Sequence, residues 1–305
     1  MSPTAAAHAP LPEPAWGTLL AVYFVLIGLP SGITLVSWWL RDRQGVTAAI
    51  LVERQGSWIA MAALIGASIL LVADLGRPER FFLMLTRFDN LGSPIAVGAK
   101  LIALKTFLLA IVLYAMERRR RTAGSAEVPA GTGVTGVTYV LPWLLVAASF
   151  GLAIYPASVL SRSWASPLAG SSGAALIFLL TALLMGLAAA ILIAVAAGGA
   201  DPDGTGRMLR LGRRALLGVL GLFGLTLAFE GLSLGGSPPD RHLLDEVLAE
   251  GSGATFWGLV VLIGIVVPAV GLAFAHRRRA AFVVSAAGVL IGAAATRYLI
   301  FAVGR

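Results

Sequence analysis

Residues 57–85 read SWIAMAALIGASILLVADLGRPERFFLML. No charge appears from Ser57 to Ala73. Then Asp74, Arg77, Glu79 and Arg80 fall within seven positions, and the chain turns apolar again at Phe81 and Phe82. About 20 mostly apolar residues make a helix long enough to cross the hydrocarbon of a bilayer. The run over 55–74 has that length and ends at a carboxylate, as a span does at a membrane edge. Seven further runs repeat the pattern, over 16–40, 94–116, 137–157, 171–197, 211–233, 254–276 and 280–302. The joints between them are polar, Gly/Pro-rich or Arg-rich. The expected fold is an all-α integral membrane protein of eight transmembrane helices. A tail of residues 1–15 precedes two four-helix bundles, 16–157 and 158–305.

Composition agrees. Of 305 residues, 58% are hydrophobic and 12% charged, against about 25% charged in a soluble domain. The mean hydropathy is +0.88. There is no cysteine, which removes disulfides, cysteine-ligated zinc and iron–sulfur clusters held by this chain. The histidines are His8 in the polar tail, His242 between spans and His276 at a span end. No two of them are placed to grip a haem. Metal centres for any electron transfer must therefore sit in another chain.

The formal charge is +8, and its distribution is a topology signal rather than a nucleic-acid footprint. The joints after spans one, three, five and seven hold fourteen arginines, among them Arg118–Arg121 and Arg277–Arg279. The opposite joints and the terminus hold six: Arg77, Arg80, Arg87, Arg162, Arg241 and Arg305. The positive-inside rule then places both chain ends outside. The first 15 residues carry no Lys or Arg and do not read as a secretory signal.

Charge inside a span needs a partner or a job. Lys100 and Lys105 fall in span three, Glu230 near the outer end of span six and Arg297 near the outer end of span eight. They read as buried charges or a proton path, with a Glu230–Arg297 ion pair as the plain alternative. Gly28 and Gly32 flank Pro30 and Ser31 in span one, where either close helix packing or a kinked cavity follows. Asp74 and Arg77 read either as a membrane-edge cap or as the polar lip of a pocket. Tyr155, which ends span four before Pro156, is either an aromatic-belt residue or a hydrogen-bond donor to a carbonyl oxygen in an apolar slot.

Four stretches together resemble the NrfD, or polysulfide reductase membrane-subunit, family. They are YFVLIGLPSG (23–32); DLGRPERFFLML (74–85) with SPIAVGAK (93–100); the segment from Tyr155 through SVLSRSWASP to Gly186; and RYLIFAVG (297–304). The resemblance spans all eight segments. It implies a haem-free membrane anchor of a respiratory oxidoreductase in a bacterial or archaeal cytoplasmic membrane. Such an anchor binds menaquinone or ubiquinone and exchanges electrons with a ferredoxin-like iron–sulfur subunit. That subunit serves a catalytic subunit, of molybdopterin type in some systems, and proton translocation accompanies the chemistry in some. The resemblance further implies a quinone pocket at the outer end of the first bundle. The matching positions are Tyr155, Asp74 and Arg77, with Ser31 as a span-one contact. Arg80, Arg162 and Trp164 then face the partner. One departure stands out: some relatives carry His or Asn in span one, where this chain offers only Thr18, Tyr23, Ser31, Thr34 and Ser37. A rival reading, an ion or solute transporter, draws on the same intramembrane Lys105, Glu230 and Arg297.

Overall fold

A computed structural model describes residues 18–41, 46–75, 86, 93–123, 135–161, 173–197, 202–234, 245, 247–248, 252–274 and 278–302. Arg77, Arg80, Arg162, Trp164 and all three histidines lie outside the described residues. Asp74 falls in a helix, but its side chain lies outside that description.

Among the described residues eight long helices follow in order. They are α1 (Thr18–Arg41), α2 (Val46–Leu75), α3 (Pro94–Ala123), α4 (Thr135–Leu160), α5 (Ala174–Ala197), α6 (Pro202–Leu234), α7 (Gly253–Phe274) and α8 (Arg279–Ala302). All eight are long and apolar enough to cross a membrane. Helix is what such sequences must form there, because hydrocarbon offers the backbone no other hydrogen-bond partner. Hydroxyls in the spans follow the same rule by bonding back one turn. Ser31 donates to the Ile27 carbonyl (2.8 Å), Thr34 to Pro30 (2.9 Å) and Ser149 to Leu145 (2.6 Å). Helices α2 and α6 start nine residues before the expected spans, at Val46 and Pro202. The helical ladder there runs on through charged residues, among them Glu53, Arg54 and Arg207.

Helices α1–α4 pack in a ring, and so do α5–α8. The rings share a seam in which α5 packs on α1, α2 and α4, while α1 also touches α8. Glycines set the closest approaches. A Cβ on Gly32 would strike the backbone at Ala182 and Gly186, and one on Gly186 would strike Gly32. The expected G-x-x-x-G packing role thus falls to Gly32. Gly264 and Gly292 do the same between α7 and α8.

Helix α7 is π-helical over Phe256–Val266, and the Val267 N–H donates to Leu262, five residues back. Pro268 explains the change of register. It offers no N–H, and its ring crowds the carbonyl four residues earlier, so the wider turn precedes it.

The N-terminal end of α1 and the C-terminal ends of α2, α4, α6 and α8 belong to one face, called here the terminal face. The opposite, arginine face carries Arg118, Arg120 and Arg121 of α3 and the Arg207–Arg214 turns of α6.

Candidate functional site

On the terminal side of the first ring, Tyr155 of α4 is buried. Its ring lies directly over Gly98 of α3, where any Cβ would overlap it. The Tyr155 phenol neighbours that of Tyr23 on α1, whose hydroxyl is also buried. Phe24 packs edge-on to Tyr155, with ring centroids 6.4 Å apart, and meets Phe178 of α5 and Phe301 of α8 at 6.4 and 6.1 Å. Beside Tyr155 opens a cavity of about 450 Å³, lined by Val97, Leu101, Gly151, Ser158 and Ala174 among others. An apolar slot with one phenol is the environment in which an O–H fixes the orientation of a neutral carbonyl ligand.

Ser31 lies deeper. It follows Tyr23 by eight residues on α1, roughly 12 Å along the axis, and its hydroxyl accepts from Lys105 Nζ at 3.5 Å. Lys105 is fully buried, about 16 Å along α3 from Pro94. The structure therefore sets Ser31 and Lys105 in one layer and Tyr155, Tyr23 and Gly98 in another. Lys100 is half-buried between those levels.

Below Lys105, toward the arginine face, a cavity of about 140 Å³ is lined by Thr34 and Ser37 of α1 and Glu53 and Ser57 of α2. The Ser37 hydroxyl is buried and unpartnered among the described residues. Sequence reasoning overlooked this column. Its signal was present: Ser31, Thr34 and Ser37 recur every third residue, which places them on one helix face.

Arg297 and Glu230 do not form the ion pair offered as the plain alternative. Arg297 is completely buried and spans three helices. Its Nε donates to Thr181 Oγ1 (3.0 Å), Nη1 to the Phe24 carbonyl (2.7 Å) and Nη2 to the Phe178 carbonyl (2.6 Å). The guanidinium also lies 5.2 Å from the Phe178 ring centre. Helical carbonyls keep a spare lone pair, so the cation is satisfied without a carboxylate. Gly28 makes this possible, because a Cβ there would sit 2.5 Å from the guanidinium carbon. Glu230 leans instead on Gly173, at the start of α5.

Among the described residues no cluster of His, Cys, Asp and Glu could hold a metal ion. A family model described as "Polysulphide reductase, NrfD" matches residues 8–305. A comparison with curated proteins finds no match.

Proposed function

The chain belongs to the NrfD family, the membrane subunits of oxidoreductase complexes, and on that premise we propose that it binds a quinone beside Tyr155 and exchanges electrons with an iron–sulfur subunit docked on the terminal face. The observation that carries this reading is the Tyr155 phenol at the wall of an apolar cavity, held in place by Gly98. A quinone bound there would supply two-electron chemistry linked to proton transfer. The residues fit such a group: the cavity is largely apolar, and Tyr155 in its lining carries a hydroxyl able to bond a carbonyl oxygen.

Protons must reach that site from one face. Glu53, Ser57, Ser37 and Thr34 form a polar column on the arginine side, which Ser31 and Lys105 extend to mid-membrane. In this reading Lys105 holds and passes a proton, with Ser31 fixing its ammonium. Asp74, Arg77 and Arg80, with Arg162 and Trp164, are assigned on the sequence alone to the lip of the slot and the partner contact. The transporter reading rested partly on Arg297, which the carbonyl clamp accounts for as a structural cross-link.

Purifying the complex through a tag on this chain tests the assignment. It should bring down a cysteine-rich partner with broad iron–sulfur absorbance, and organic extraction should release a quinone. A chain that purifies alone, without quinone, would refute it.

A further inference from the structure

The second ring is incompletely closed. Helix α6 packs on α7 along Val267–Phe274, where Arg213 Nη1 donates to the Leu272 carbonyl at 3.4 Å. Over the π-helical Phe256–Val266 the two helices part, and a cavity of about 450 Å³ fills the gap. Its floor is Ile177 of α5 with Thr296 and Ile300 of α8. At the terminal face Leu248 covers it, tied down by Trp257 Nε1, which donates to the Leu248 carbonyl at 3.0 Å. Ala228 of α6 and Trp257 of α7, both in the lining, are exposed. The way in is therefore sideways, through membrane-facing surface.

Among the described residues Glu230 is the one ionisable residue in this lining. It is 6% exposed, and its Oε2 is buried with no hydrogen-bond partner among the described residues. A buried carboxyl oxygen without a donor is costly, so the cavity suits an occupant that brings one. Among the described residues the lining contains no cation to meet a phosphate, which favours an uncharged occupant over a phospholipid headgroup. Phe256 and Trp257, edge-on at 5.3 Å, offer aromatic walls to a flat ring. π-Helical segments are frequent at functional sites.

We propose that this groove is a second amphiphile site, in which Glu230 accepts a hydrogen bond from the hydroxyl of an uncharged hydroquinone-class lipid entering between α6 and α7. The site is separate from the Tyr155 cavity and does not require that cavity to be occupied.

The test uses the purified complex in phosphatidylcholine nanodiscs under anaerobic conditions. The probe is a decyl hydroquinone carrying a photoreactive diazirine on its tail, and labelled peptides are mapped by mass spectrometry. Wild-type protein should be labelled within 224–234 or 256–265, and unlabelled decyl hydroquinone should compete while phosphatidylglycerol should not. Gly224 lines the groove, and a Cβ there meets nothing within 4 Å. Gly224→Phe should therefore fill the space and cut groove labelling by about tenfold or more. Glu230→Leu, which removes the acceptor, should cut it by about two- to tenfold. Labelling of 151–161 should stay unchanged in both variants, which reports intact folding and keeps the two sites' fates separate. The proposal is overturned by absence of groove labelling in the wild type, or by equal competition from phosphatidylglycerol. The latter would make the groove a phospholipid seat. Undiminished labelling in Gly224→Phe would also overturn it. The competition experiment on the wild type needs no variant, so it decides the matter even where a variant fails to fold.

Discussion

Arg297 shows how a full charge is carried inside this protein. Two backbone carbonyls and a threonine hydroxyl surround the guanidinium, and Gly28 gives up its side chain to admit it. The Gly28→Ala change should destabilise the subunit by about 1–3 kcal/mol, since the guanidinium has nowhere to shift. In a double-mutant cycle with Arg297→Met, measured by thermal unfolding in detergent, the combined loss should be smaller than the two single losses added. Strict additivity would mean that Gly28 serves something other than the clamp. Lys105 is the contrasting case, because its one hydrogen bond among the described residues is the 3.5 Å contact to Ser31. Lys105→Met should assemble normally yet lose about tenfold or more in quinone-linked turnover, as expected for loss of a proton-carrying group. Normal turnover with normal proton stoichiometry would reduce Lys105 to a packed side chain.

At the level of elements, glycine decides where helices touch. Gly32 and Gly186 bring the α1 and α5 backbones together, whereas a Cβ on Gly221 of α6 would meet nothing within 4 Å. Gly32→Val should therefore abolish folded subunit, while Gly221→Val should stay within about 0.5 kcal/mol of wild type. Equal tolerance of both, read as folded yield by size-exclusion chromatography, would contradict the seam. Span existence was legible in the sequence because the hydropathy of about 20 residues averages over local detail. Partnership was not. Gly28 and Gly32 look alike in GLPSG, yet one seats an arginine from α8 and the other meets a backbone on α5. The Glu230–Arg297 pairing failed for the same reason. Opposite charges at similar depth invite pairing on paper, but only the packing of α1, α5 and α8 reveals three closer acceptors. The π-helical turns of α7 carried a trace in Pro268, which marks a helix disturbance without stating its form.

Taken whole, the described helices form two rings of four around a glycine seam, with a phenol-walled cavity where α3 and α4 meet α5 and a carboxyl-walled groove in the second ring. Tyr155 stood out in the sequence as a candidate because few polar groups end apolar spans. Gly98 and Tyr23 were not legible as its neighbours, since both look ordinary within their own helices. The arginine asymmetry predicts that reporter fusions after Arg121 and Arg279 read cytoplasmic and one after Arg305 reads periplasmic. A periplasmic reading after Arg121 would invert the topology and move the partner's docking face with it. The central claim, that quinone is held beside Tyr155, is tested most directly by titrating quinone into the purified complex, wild type against Tyr155→Phe. That change deletes one oxygen and keeps the ring over Gly98. The affinity should fall by about 0.5–1.5 kcal/mol, with dye-linked activity of the complex retained. Unchanged affinity in Tyr155→Phe would contradict the account.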